Sequence, residues 1–338
     1  MKKEKVCNAR LGKAGGQAVL EGVMMKSGDN VALAVRKDDG TIALETSKQV
    51  PLKRKYKILG IPVIRGAVNF VETLILSMKT LTRSGEMLGL DDEDEETKFD
   101  KWLKEKFGKS IFDFVMVVGV VLGVALAVGL FVILPLFITT AIDKAAGGIG
   151  WAKNLIAGGI KIAIFIAYLW GVSFMKDIRR TFEYHGAEHK TIACYESGLE
   201  LTPANAATCT RFHPRCGTSF IFITLILSIL VFSVISWDMN KFAIAGLRVL
   251  LLPIVVGLSY ECIMIAGKHP NALTKIISAP GLLMQRITTR EPDESQLEVA
   301  IAAFKAAIPD EFPPETPEAP ADGGSGEDGE SKDETNDA

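Results

Sequence analysis

The residues best suited to chemistry lie in FEYHGAEHKTIACYE, positions 182–196. Two of the chain's four histidines sit here, one helical turn apart, with Glu188 directly before the second. On a helix His185 and His189 share a face, so both imidazoles reach one ion. H-x-x-E-H is the inverted form of the zinc-protease motif, in which two His bind the metal and the Glu is general base. A divalent metal, zinc by its donors, needs at least a third ligand and, if catalytic, a position for water. The competing reading is a pair of hydrogen-bonded histidines on a covered face. Ile178, Phe182, His185, His189 and Ile192 recur at helical spacing and define that face.

The third ligand has several candidates. CTRFHPRCGTSF offers Cys209, His213 and Cys216, spaced C-x3-H-x2-C. Cys216 stands at the start of an apolar segment, where a helix N-terminus would favour a thiolate. The same stretch also reads without metal, as a capped helix start whose Arg211 and Arg215 meet lipid phosphates. Glu261 lies within the last apolar segment, where a carboxylate is costly and needs a partner. It is either a ligand or the partner of an arginine such as Arg65. His269 follows just beyond that segment, and Glu21 and Glu72 are further acidic candidates. Glu21 belongs to LGKAGGQAVLEGVMMKSGDN, a glycine-rich run suited to a loop beside a site.

The elements that must position these groups follow from hydropathy. The chain is 48% hydrophobic, ordinary for a soluble protein, so the segregation of those residues is what marks an integral membrane protein. Windows of about 20 apolar residues predict four transmembrane helices, at 114–138, 155–175, 218–235 and 247–266. Gly119 and Gly123 in the first form a small-xxx-small pair, a helix-packing face. The motif helix would continue the second span, with Gly198 as its stop. Over 58–81, Arg65, Asn69, Glu72 and Lys79 share one face, which predicts an interfacial or re-entrant amphipathic helix rather than a span.

The remaining segments read as follows. VALAVRKDDGTIALETS is a hairpin around Asp39-Gly40, giving a small β-containing unit over 1–57. A charged linker occupies 82–110, and the four-helix membrane domain, with its motif loop 176–216, occupies 111–266. Over 267–308 a short helix breaks at Pro280-Gly281. An amphipathic helix follows, with Leu297, Ile301, Phe304 and Ile308 in one stripe. Positions 309–338 form an acidic tail of disordered composition.

Charge is segregated too. Positions 291–338 carry 15 acidic and 2 basic residues, whereas the rest carries 36 basic and 25 acidic. A basic body beside a membrane suits anionic lipid, and no nucleic-acid motif accompanies it. Thirteen Lys/Arg precede Ile58, five Lys lie between Lys98 and Lys109, and six Lys/Arg lie in 176–216. The positive-inside rule therefore places both termini and the motif loop in the cytoplasm. The N-terminal MKKEKVCNARLGKAGG has no apolar core, which predicts no cleaved signal peptide. On the cytoplasmic side Cys7, Cys194, Cys209, Cys216 and Cys262 would be thiols or ligands rather than disulfides.

GGQAVLEGVMM, VALAVRKDDG, FEYHGAEHKTIACYE, HPRCGTSF and APGLLMQRITTREPDESQLEVAIAAF together resemble the YqhQ family of bacterial membrane proteins. The resemblance runs from about Gly15 to Phe304. That family is a domain of unknown function, sometimes described as a predicted metal-dependent enzyme. The resemblance implies a bacterial inner-membrane protein and supports metal binding at His185 and His189. Three function classes remain. One is a metal-dependent hydrolase with Glu188 as base. Another is a non-enzymatic scaffold or biogenesis factor binding lipid, another membrane protein or the export and translation machinery. The third is a transporter using membrane-embedded Arg65, Lys161 and Glu261.

Overall fold

The hairpin signal at Asp39-Gly40 belongs to a larger sheet. A computed structural model describes residues 10–89, 109–268 and 272–313, and in it four antiparallel strands run in the order β1-β2-β3-β4. They are β1 (Gly15–Val19), β2 (Gly22–Ser27), β3 (Asn30–Arg36) and β4 (Ile42–Lys48). Asp39 Oδ1 accepts from the backbone and hydroxyl of Thr41, at 2.8 and 2.6 Å, closing the expected turn. β1 and β2 occupy the glycine-rich run that reads as a loop in the sequence. Their signal was hidden because the sheet is covered on both faces. Val23, Met24 and Met25 are all buried, so the two-residue alternation of a half-buried strand is absent.

Helices supply the rest of the architecture. In chain order they are α1 (Leu52–Lys55), α2 (Ile64–Met87), α3 (Lys109–Val128), α4 (Leu134–Ala145), α5 (Lys153–Val172) and α6 (Lys176–Glu196). Then follow α7 (Pro203–Thr208), α8 (Gly217–Phe232), α9 (Lys241–Lys268), α10 (Ala272–Thr288) and α11 (Glu294–Ala307). One sheet face, with Val23, Met25, Ala32 and Ala34, shares a core with Tyr184 and Ile192 of α6 and Leu297 and Phe304 of α11. The other, with Val19, Met24, Leu33 and Val35, meets Leu76 and Met87 of α2. The sheet is thus the middle layer between α2 and the α6–α11 pair.

Among the described residues three stretches are long and apolar enough to cross a membrane: Val121–Ala145, Gly150–Val172 and Lys241–Ile265. The first includes a π-helical turn at Gly129–Ile133. α8, at the third expected span, is apolar but shorter; its 16 residues run about 24 Å. Gly119 and Gly123 face open space rather than a packed helix. The motif helix is not a continuation of the second span. α5 ends at Val172, Ser173 turns its hydroxyl onto the Trp170 carbonyl (2.7 Å), and Met175 is extended before α6 begins.

α2 begins later than the amphipathic segment expected at 58–81, after a 3₁₀ turn at Lys57–Gly60, and runs on to Met87. Residues 82–87 are therefore helix rather than linker, while 90–108 lie outside the described residues. So do Cys7, His269 and the acidic tail beyond 313. Val71, Leu74, Ile75 and Met78 form an exposed apolar row on α2, whereas Gly66, Thr80 and Ser84 are buried.

Close packing explains two departures from local propensity. α10 continues through Pro280-Gly281, where a break was expected; a Cβ on Gly281 would stand 2.5 Å from Ser219 Cα, so α8 and α10 touch there. Gly186, a weak residue for a helix interior, lets the 290 segment lie on α6. Arg290 N donates to the Phe182 carbonyl at 2.8 Å, and a Cβ on Gly186 would meet the Arg290 carbonyl oxygen at 1.9 Å. α6 stops as Gly198 predicts, with φ +73° and its N–H on the Tyr195 carbonyl at 3.0 Å. α11 opens on a capping box of Asp293 and Gln296, and its stripe of Leu297, Ile301, Phe304 and Ile308 is buried.

Candidate metal centre

α6 carries both motif histidines into the core, and each is oriented by a backbone carbonyl. His185 Nδ1 lies 2.8 Å from the Thr288 carbonyl oxygen at the end of α10. His189 Nδ1 lies 2.6 Å from that of Arg211, in the loop before α8. A carbonyl only accepts, so Nδ1 is the donor in both rings, and in the neutral imidazole Nε2 then carries the lone pair. This is the arrangement that orients metal-ligating histidines. The rings are 4.4 Å apart, and His185 Nε2 is 3.3 Å from Cys216 Sγ. Cys216 is the N-cap of α8, its sulfur accepting from the Thr218 N–H at 3.5 Å.

The ligand atoms of His185, His189 and Cys216 all lie within 4.8 Å of one another. Two zinc–ligand bonds together span about 4–4.5 Å, so a small inward movement would close them on one ion. Burial pushes the His189 imidazole down in pKa, with the Cys216 contact opposing, which favours its neutral, ligating form. Two histidines and a thiol suit zinc.

Glu188 faces the same space. It is 5% exposed, its Oε2 has no hydrogen-bond partner among the described residues, and the Gly16 backbone donates to the carboxylate. Burial pushes its carboxyl up to about 7, with His185 and Gly16 acting in the opposite direction. His185, Glu188, His189 and Cys216 line a cavity of about 710 Å³. Its other walls include the segment from Gly12 into β1 as far as Ala18, Thr73 and Ser77 of α2, and the start of α8.

The model of a protein family of unknown function, DUF1385, matches residues 61–310. The chain belongs to that family. It is also 33% identical over 298 residues to "Uncharacterized protein YqhQ" of Bacillus subtilis (strain 168), covering 87% of this chain and 92% of the relative. No solved structure matches. The part matched to DUF1385 contains His185, Glu188, His189 and Cys216.

The other candidates have other partners. His213 lines the cavity, and its ring is 5.6 Å from that of His189. Its Nε2, however, faces Glu196 at 3.7 Å, and the side chain of Gln285 grips its backbone N–H and carbonyl, each at 2.8 Å. Glu261 is held by Arg65, with Nε and Nη2 at 2.7 and 2.5 Å, and lies outside the three-ligand group. Cys209 packs against the core and donates to the Asn205 carbonyl at 3.5 Å. Glu21 ties the β1–β2 turn to α6 through Arg180 and the Tyr184 hydroxyl. Glu72 accepts from the Leu52 N–H at 2.7 Å.

Sequence reasoning missed the groups that orient the site. The carbonyls of Thr288 and Arg211 leave no trace in residue type. Gln285 does leave one: a polar residue, fully buried in the fold, directly after the apolar run APGLLM. Glu196 also went unnoticed. It accepts from Gly12 N–H at 2.9 Å and pairs with Arg215, fastening the N-terminal segment over the cavity.

Proposed function

We propose that this chain is a multi-pass inner-membrane protein that holds a divalent metal, zinc by its donor set, at His185, His189 and Cys216. On this reading it is a metal-dependent hydrolase. α8 serves as a fourth span beside the three longer apolar stretches, and the excess of Lys/Arg in 176–216 turns the site toward the cytoplasm. One observation carries the enzymatic reading: a buried carboxylate, one oxygen of which has no hydrogen-bond partner among the described residues, lines the same cavity as three converging donors. A closed structural site would have four protein ligands and no need of such a group.

Bound there, the metal would acidify a water and polarise the bond to be cleaved. Glu188 would accept the proton of the attacking water and return it to the leaving group. The carbonyls of Thr288 and Arg211 hold the two imidazoles in the ligating tautomer. The substrate class is an amide, an ester or a lipid headgroup linkage. Glu188→Gln tests the assignment: the variant should keep its metal and fold and lose its cellular function, since general-base catalysis contributes about 10²–10⁴-fold. A variant that retains both metal and full function would contradict hydrolysis.

The second reading is a non-enzymatic scaffold or biogenesis factor. The exposed row Val71, Leu74, Ile75 and Met78 on α2 favours it, because that row could rest on lipid or another membrane protein. Stable co-purification of a partner that is lost when Leu74 and Met78 become polar would support it.

A further inference from the structure

The end of α8 opposite Cys216 holds two cations in a place where helices among lipid tolerate them least. Lys161 of α5 is 8% exposed, and Arg248 of α9 is 3% exposed. From sequence alone, Lys161 would snorkel to the nearer surface. Instead its Nζ turns inward, donating to Ser228 Oγ at 3.2 Å and lying 4.9 Å from the centre of the Phe232 ring. Arg248 Cζ lies 5.6 Å from the same ring and 5.3 Å from that of Trp237.

Among the described residues neither cation pairs with a carboxylate. Asp143 pairs with Lys153 at 2.8 Å, and Asp238 accepts from the nearby Ser236 hydroxyl at 3.1 Å on an exposed loop. The buried Nε of Arg248 has no hydrogen-bond partner among the described residues. Both cations line one small cavity with Asn154, Gly158, Ile229 and Phe232. Its volume is about 10 Å³, which is room for about one water-sized particle.

Two buried like charges between membrane-spanning helices carry a heavy desolvation cost. The aromatic faces offset only part of it, and a water in the cavity would leave both charges uncompensated. We infer that this cavity binds a small monovalent anion of halide size between Lys161 and Arg248, tying α5, α8 and α9 together. The space is too small for a tetrahedral oxyanion such as phosphate. The assignment is independent of the metal centre, since Ser228 lies about 18 Å along α8 from Cys216.

Thermal unfolding of the purified full chain in sodium chloride and in sodium gluconate, at equal ionic strength, tests it. Chloride should raise the melting temperature saturably by several degrees, and bromide should reproduce the rise. Arg248→Met and Lys161→Met should each abolish it. Equilibrium dialysis of the wild type against radiolabelled chloride reads the site directly should a variant fail to fold, and a single retained ion is expected. Identical melting in both salts, a rise that survives both substitutions, or no chloride retained by the wild type would each overturn the assignment.

Discussion

His185 Nε2 lies 3.3 Å from the sulfur of Cys216, although 31 positions separate them in the chain. The two residues come from different helices. α6 carries the histidine through the core, and Cys216 caps the start of α8. The sharp connection after Gly198 and the clamp of Gln285 on His213 bring the intervening loop back. The centre is thus assembled by the fold of the layer that joins the sheet to α6, α10 and α11, not by the motif helix alone.

That layer depends on Gly186. Alanine would improve local helix propensity by about 1 kcal/mol, but its Cβ would meet the Arg290 carbonyl oxygen at 1.9 Å. Backbone anchored to Phe182 cannot swing away as a side chain could. Overpacking of this kind costs about 1–3 kcal/mol, so the clash should prevail. Gly186→Ala should lower the melting temperature by a few degrees; a variant as stable as wild type would show that the 290 segment does not rest on α6.

Arg65 and Glu261 form a bidentate pair between α2 and α9, with the Val63 N–H adding a third contact at 3.3 Å. Glu261→Gln should therefore loosen α2, seen as faster proteolysis near its start and a lower melting temperature. Metal content should be unchanged. Loss of metal from a folded Glu261→Gln protein would return Glu261 to the ligand shell.

How much of this was legible beforehand follows from the kind of signal each element carries. The stripe of α11 and the Asp39-Gly40 turn were readable because burial on one side, or a left-handed glycine, leaves a local pattern. β1 and β2 were not readable, since a sheet covered on both faces has no alternation to show. His185 and His189 were found by their spacing, but Cys216 could not be chosen over His213 or Glu261. Ligand choice depends on which side chains are already taken: Glu261 by Arg65, and the His213 edge by Glu196. Such pairings are tertiary facts.

Glu311 fastens the end of the α11 layer to the N-terminal segment, accepting from Lys13 at 2.6 Å and from the Tyr195 hydroxyl at 2.9 Å. The Lys13 contact holds the Glu311 carboxyl below its usual 4.5; partial burial opposes this and the Tyr195 hydroxyl adds to it. A lowered folded value means the contact stabilises fully above the unfolded value and is lost as pH falls through the folded one. Wild type should therefore melt above Glu311→Gln near neutral pH, and the gap should close as pH drops below 4.5. A gap that stays constant into acid would contradict this.

The central claim is that His185, His189 and Cys216 share one metal ion. Elemental analysis of the purified full chain, compared with His185→Ala/His189→Ala and with Cys216→Ala, tests it most directly. The account predicts about one zinc per wild-type chain, near-total loss in the double-histidine variant, and strong depletion in Cys216→Ala with the fold retained. Equal, near-zero metal in all three proteins, or wild-type occupancy in the double-histidine variant, would contradict it.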